Sequence, residues 1–149
     1  MAVSNASADY AGDLSAGEAW SLLENNPKTQ LVDVRTTAEW SFVGLPDLSG
    51  AGRKVHTIEW QTFPSMAVNP DFTAATADAL AKAGADKDTP ILFLCRSGAR
   101  SRSAAMALTR AGFTRAFNIA GGFEGDVGPD GHRGHVNGWK AANLPWRQN

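Results

Sequence analysis

The feature that most constrains the fold is an apolar segment that passes directly into a turn and then a helix. Residues Pro90–Cys95 form a continuous apolar run, which is typical of a strand covered on both faces. The turn contains Gly98, and residues 100–111 then place alanine and leucine at helical spacing. In parallel sheets covered by helices, binding sites lie at the carboxyl ends of strands. Cys95 stands at such an end.

Helix and strand signals alternate along the rest of the chain. Capping patterns begin at Ser15 and at Thr36, each followed three residues later by glutamate. Helices are predicted at about 15–25, from 36 through Phe42, and from about 69 to Gly84, and strands at Leu31–Arg35, Lys54–Ile58 and Thr114–Ile119, with a loop at 44–54. The alternation predicts an α/β fold with a parallel sheet and helices on both faces.

Composition restricts the organisation and the partners of the chain. A length of 149 residues predicts one domain, at 10–149, after a flexible tail at 1–9. A formal net charge of -1 argues against nonspecific nucleic-acid binding, and no apolar stretch approaches the roughly 20 residues of a membrane helix. The amino terminus lacks the pattern of a signal peptide, and a single cysteine forms no internal disulfide. We therefore expect a cytoplasmic protein that binds neither nucleic acid nor membrane.

The residues after Cys95, the only cysteine in the sequence, favour a negatively charged sulfur. The backbone amides of Arg96–Arg100, the start of the next helix and nearby guanidinium groups all stabilise a thiolate. Between Thr89 and Phe123 the chain has five arginines and no aspartate or glutamate. This concentration of positive charge favours a small anionic substrate.

We predict that Cys95 is the catalytic residue and that the next five residues bind substrate. These are Arg96, Ser97, Gly98, Ala99 and Arg100, with Ser101, Arg102, Asp33 and Trp60 predicted around them. The loop contains no histidine or acid that would serve Cys95 as a local base, which counts against a cysteine hydrolase. No cofactor is expected, and two histidines in a glycine-rich loop, His132 and His135, are too few to predict a metal. A buried core cysteine is the alternative interpretation.

Four segments, in order, resemble the signatures of the rhodanese family of sulfurtransferases. Cys95–Ser101 resembles that family's active-site loop. The other three are Leu31–Arg35 with Glu39, Trp40 and Gly44; Asn118–Phe123; and Gly138–Lys140 with Leu144 and Pro145. The resemblance covers most of residues 10–146. It implies a rhodanese-like fold with about five parallel strands, and a sulfurtransferase that carries sulfane sulfur as a persulfide on Cys95.

The resemblance also implies roles for individual residues. The amides of Arg96–Arg100 would hold the persulfide sulfur, and the side chains of Arg96 and Arg100 would receive the sulfonate of a donor such as thiosulfate. Cyanide, a thiol or a protein would accept the sulfur. An ion pair between Arg35 and Glu39 is expected beside the helix cap.

Loop length separates this resemblance from the cysteine phosphatases. Phosphatases place five residues between cysteine and arginine, whereas four lie between Cys95 and Arg100, and Ser101 stands where the phosphatase arginine would be. The shorter loop suits one sulfur atom better than a tetrahedral phosphate.

Two segments depart from the family pattern, and two alternatives to the enzyme stay open. Residues 44–51 lack the family's histidine, and Glu124–Gly138 is a polar, glycine-rich stretch that is either a lid near the Cys95 loop or a partner-binding loop. One alternative is a non-catalytic rhodanese-like module that binds a protein. The other is a redox or arsenate-reducing thiol, for which the chain has no resolving cysteine.

Overall fold

The computed structural model describes residues 9–62 and 64–148, so the predicted tail, apart from Asp9, lies outside the described residues. Within those two ranges, no helix is long and apolar enough to cross a membrane.

Nine strands and five helices follow one another along the described chain. In order they are β1 (Gly12–Leu14), α1 (Ala16–Asn25), β2 (Gln30–Asp33), α2 (Thr37–Phe42), β3 (Leu45–Pro46), β4 (His56–Thr57), β5 (Gln61–Thr62), β6 (Ala67–Val68), α3 (Phe72–Lys82), β7 (Ile91–Leu94), α4 (Ala99–Arg110), β8 (Ala116–Ile119), α5 (Gly138–Ala141) and β9 (Trp146–Arg147).

Five of the strands form one parallel sheet in the order β1-β8-β7-β2-β4. The predicted α/β fold with a five-stranded parallel sheet is therefore confirmed. Strand β7 lies at the centre, where Phe93 pairs with Val32 on one side and with Asn118 on the other. A central strand is covered by neighbours and by both helical layers, which explains its unbroken apolar sequence.

The side chains of β7 alternate between two hydrophobic layers. Phe93 and Cys95 pack with residues of α3 and α4, whereas Leu92 and Leu94 pack with α1 and with Trp139 of α5. This is the two-residue period of a strand, and it directs the cysteine toward the layer that contains α4.

Both predicted capping boxes are present. The Ser15 hydroxyl accepts the amide of Glu18 and the Glu18 carboxylate accepts the amide of Ser15, and Thr36 and Glu39 repeat the exchange at α2. These bonds satisfy amides that the first turn of a helix leaves without partners, so the local sequence sets where α1 and α2 begin.

The smallest strands were missed by the sequence reasoning. Strand β1 at the sheet edge, the β3-β9 pair and the β5-β6 hairpin were not predicted, and the strand predicted at 54–58 is reduced to β4. Two- and three-residue strands are too short to show a periodicity, and β1, β3 and β9 also depend on pairing with segments distant in sequence.

Candidate active site

Cys95 lies where β7 gives way to α4, and its sulfur receives polar contacts from the turn. The amide of Gly98 donates to Sγ at 3.1 Å, and the hydroxyl oxygen of Ser101 lies 3.1 Å from Sγ. Gly98 has a φ of 123°, a conformation that glycine adopts at little cost, and it caps α4. Cys95 is 1% exposed, so the sulfur lies at the floor of the loop.

A chain of hydrogen bonds leads from the buried sulfur to Asp13, which is exposed. The Ser101 oxygen is 2.5 Å from Oδ1 of Asn118, and Nδ2 of Asn118 donates to Asp13 at 2.9 Å. Because a carboxylate only accepts, Asp13 fixes the orientation of the Asn118 amide, so the oxygen of that amide faces Ser101. The single hydroxyl hydrogen of Ser101 therefore has three acceptors within reach: Asn118, the sulfur and, at 3.3 Å, the carbonyl oxygen of Gly98.

This competition links the hydroxyl to the charge of the sulfur. A neutral thiol of Cys95 donates its own hydrogen to Ser101, which leaves the hydroxyl free to donate to Asn118. A thiolate accepts the hydroxyl hydrogen instead, at the cost of the bond to Asn118. Ser101 thus donates a charge-assisted hydrogen bond to the sulfur only when the Cys95 thiol is ionised.

The backbone of Gly122–Glu124 passes under the Cys95 loop and supports it, a contact that we call the glycine crossing. The amide of Phe123 donates to the carbonyl oxygen of Cys95 at 2.8 Å, and the amide of Glu124 donates to the carbonyl oxygen of Arg96 at 3.0 Å. A Cβ atom on Gly122 would lie 2.5 Å from the Cys95 carbonyl oxygen, and Gly122 has a φ of 61°. Only glycine allows this close approach of two backbones without displacement of the loop.

The expected ion pair between Arg35 and Glu39 is wrong. Glu39 instead pairs with Arg100, whose Nη1 and Nη2 donate to Oε1 and Oε2 at 2.8 and 3.0 Å. Burial would raise the pKa of Glu39, but the hydrogen bond and the charge of Arg100 outweigh burial and lower that pKa. The pair fastens the first turn of α4 to the capping box at Thr36, where Glu39 also accepts the backbone amide.

Arg35 pairs with Asp33, and both side chains are 0% exposed. The Nε and Nη2 atoms of Arg35 donate to Asp33 at 2.9 and 2.7 Å, and Nη2 also donates to the carbonyl of Gly44 at 2.7 Å. The guanidinium carbon lies 4.3 Å from the centre of the Phe123 ring. Arg35 therefore joins the end of β2 to the start of β3 and to the segment that supports the Cys95 loop.

A cavity of about 510 Å³ lies beside the Cys95 loop. Its walls come from α2, from the β5-β6 hairpin, from the loop itself and from the segment after β8. Arg96 and Arg100 line it from the loop, and Glu124 and Arg133 line it from the glycine-rich segment. The cavity is large enough for a small oxyanion, and arginine is its most frequent lining residue.

The other predicted site residues occupy different positions around the loop. Ser97 is half-buried, while Ala99 and Arg102 are exposed on the first turns of α4. Trp60 packs edge-on against Phe72, with ring centres 5.0 Å apart. His56 was not predicted to belong to the site: its Nε2 lies 2.9 Å from the side-chain oxygen of Gln30, and burial lowers the pKa of His56.

Three contributors were missed from the sequence. The side chain of Asn118 is a polar group on an otherwise apolar strand, and that pattern is a signal of a buried hydrogen-bond network. The role of Glu39 as the partner of Arg100 had no local signal, because 61 positions separate the two residues. Arg133 lies in a segment without periodicity, so only the folded chain places it at the cavity.

Comparisons with known proteins agree with this architecture. The model of the family described as "Rhodanese-like domain" matches residues 15–127. An uncharacterized protein of Rickettsia conorii is 38% identical over 91% of this chain and 96% of its own length. The crystal structure of Rv0390 from M. tuberculosis superposes with a TM-score of 0.84 and 48% identity, covering 94% of this chain and 99% of that one.

A second solved structure has a sulfur-transfer activity in its name. The polysulfide-sulfur transferase homodimer of Wolinella succinogenes superposes with a TM-score of 0.56 and 25% identity, covering 92% of this chain and 78% of that one. The family model matches most of the chain, and the relatives are similar in sequence along nearly their whole length as well as in fold. The chain belongs to the family of rhodanese-like domain proteins.

Proposed function

We propose that the protein is a sulfurtransferase that carries sulfane sulfur as a persulfide on Cys95. The observation that carries the proposal is the pair of donors at the sulfur, the Gly98 amide and the Ser101 hydroxyl, each 3.1 Å from Sγ. Both stabilise negative charge on the atom that must attack the donor and then hold the transferred sulfur. Membership of the rhodanese-like family and the likeness to a polysulfide-sulfur transferase support the same chemistry.

The reaction proceeds in two displacements at sulfur. The Cys95 thiolate attacks the sulfane sulfur of thiosulfate, so that a new S–S bond forms while the bond to the sulfonate sulfur breaks. Sulfite leaves with that electron pair, and the enzyme retains a persulfide anion. In the second displacement, cyanide or a thiolate attacks the outer sulfur, and Cys95 leaves as a thiolate. We propose a cytoplasmic location, where low-molecular-weight and protein thiols serve as acceptors.

Mass spectrometry of the intact protein after thiosulfate treatment tests the first displacement. The wild-type chain should gain the mass of one sulfur atom, cyanide should remove it, and Cys95→Ala should not acquire it. Because the sequence has one cysteine, the mass gain reports on that residue alone. If the wild type gains no sulfur from thiosulfate, polysulfide or a low-molecular-weight persulfide, the enzyme proposal fails.

A non-catalytic rhodanese-like module is the second candidate, and burial favours it. Cys95 is 1% exposed and packs with the apolar side chains beneath α3 and α4, as a structural cysteine does. Under this alternative Cys95→Ala would change the stability of the chain alone, and no donor would load sulfur onto the wild type.

A further inference from the structure

The arginine expected to meet the donor's sulfonate is already held by a carboxylate. Arg100 donates from both terminal nitrogens to Glu39, at 2.8 and 3.0 Å, and the two side chains are only 18% and 20% exposed. Burial would lower the pKa of Arg100, but the hydrogen bonds and charge of Glu39 outweigh burial and raise it. Bidentate pairs of this kind are among the strong ones, so an approaching anion would meet a guanidinium whose charge is already neutralised.

Two other arginines line the same cavity without such a partner. Arg96 is exposed and Arg133 is half-buried, and among the residues that the structure describes neither lies within 4.0 Å of a carboxylate oxygen. Glu124 also lines the cavity, and by the same 4.0 Å criterion it forms no ion pair among the described residues. Once Glu39 and Arg100 neutralise each other, the positive charges of Arg96 and Arg133 outweigh the negative charge of Glu124, so the cavity has a net positive charge.

The backbone holds these two arginines in one unit. Nη1 of Arg133 donates to the carbonyl oxygen of Gly125 at 2.5 Å, and the amide of Gly125 donates to the carbonyl oxygen of Arg96 at 3.0 Å. One glycine thus connects the side chain of Arg133 to the residue that follows the cysteine. Its φ is 76°, and a Cβ there would lie 2.0 Å from the carbonyl oxygen of Asn137. A side chain at position 125 would therefore displace the segment.

We propose that Arg96 and Arg133 form the subsite for the oxyanion group of the sulfur donor, and that Arg100 serves as a scaffold. This inference rests on the proposed sulfurtransferase function and names its donor class, small donors that carry a sulfonate, with thiosulfate as the simplest. The two guanidinium groups bind the sulfonate oxygens, which leaves the sulfane sulfur for the Cys95 loop. The negative charge on those oxygens persists as sulfite departs, so the same groups stabilise the leaving group.

The glycine-rich segment then acquires a role in donor selection. Arg96 belongs to the loop, but Arg133 reaches the cavity only through the polypeptide between Glu124 and Gly138. A donor without an oxyanion group makes no use of this subsite and gains nothing from Arg133. The segment therefore contributes to specificity toward the donor and leaves transfer to the acceptor unaffected.

Rapid loading of Cys95 as a function of thiosulfate concentration tests the subsite. We expect Arg133→Gln to raise the half-saturating thiosulfate concentration by roughly tenfold to a hundredfold, the loss of a charged hydrogen-bond partner. Arg133→Lys keeps the positive charge but loses the forked guanidinium geometry, so its half-saturating concentration should lie between those of the wild type and Arg133→Gln. Arg115→Gln is the matched control, since Arg115 is exposed at the opposite end of β8. Discharge of the loaded persulfide to dithiothreitol, a neutral thiol, should change less than twofold in all variants.

Direct binding separates this inference from the proposed function. In the Cys95→Ala background, calorimetry should detect thiosulfate binding that Arg133→Gln weakens by the same factor and Arg115→Gln leaves intact. Equal binding or equal loading by Arg133→Gln and the control would overturn the subsite and leave the persulfide proposal standing. A wild type that binds thiosulfate through Arg133 but never gains sulfur would retain the subsite and refute the transfer reaction.

Discussion

The buried ion pair between Asp33 and Arg35 provides a quantitative test of how the site is supported. Asp33→Asn keeps the volume of the side chain but removes the charge that balances a guanidinium with 0% exposure. Asparagine retains one of the acceptor oxygens, and the Gly44 carbonyl and the Phe123 ring still contact Arg35. Removing one partner of a buried pair costs about 3–5 kcal/mol. Because Arg35 keeps these remaining contacts, we expect the free energy of unfolding to fall by about 3 kcal/mol.

Urea unfolding measures this loss through the transition midpoint at an unchanged m-value. The matched control is Asp78→Asn, which breaks the ion pair with Lys82 at 3.1 Å on α3, where the side chains are 66% and 78% exposed. That change should cost less than about 0.5 kcal/mol. The double change Asp33→Leu with Arg35→Met removes both charges and should be more stable than Asp33→Asn alone. A loss for Asp33→Asn no larger than the control's would refute the assignment of Arg35 as a charge that needs its partner.

Three further predictions concern the ion pair of Glu39 with Arg100, the close approach at Gly122 and the buried hydroxyl of Ser101. Burial would raise the pKa of Glu39, but its arginine partner holds that pKa below 4.5, so the pair stabilises the fold above that pH and loses its effect as pH falls through the folded pKa. The stability lost in Glu39→Gln should thus shrink below pH 4.5 in urea titrations, and a constant difference would contradict the linkage. Gly122→Ala should slow persulfide loading at least tenfold while the control Gly17→Ala, an open helix position, does not; equal rates would show that the crossing tolerates a Cβ. Ser101→Ala should slow iodoacetamide alkylation of the cysteine at neutral pH by roughly fivefold or more, and Asn118→Leu should accelerate it, because the hydroxyl hydrogen is then free for the sulfur; changes of the same sign would exclude the proposed competition.

Particular residues show how far the local pattern predicts the structure. The capping boxes at Ser15 and Thr36 and the apolar run that ends at Cys95 each depend on contacts within a few residues or on burial in a central strand. Their elements were predicted to within one or two positions for that reason. The β3-β9 pair and helix α5 depend on partners far along the chain, and the β5-β6 hairpin is too short to show a period, so the local pattern contained no trace of them.

The same division applies to the site. The sequence by itself determined the position of the single cysteine, the length of its loop and the positive charge around it, because these properties belong to consecutive residues. Only the tertiary structure decided which acid neutralises which arginine, and it assigned Glu39 to Arg100 and Asp33 to Arg35. Only the fold brings Arg133 to the cavity and Asn118 to the hydroxyl of Ser101. Ion pairs and buried hydrogen bonds act over a few ångströms in space whatever the separation in sequence, so their partners are fixed when the chain packs.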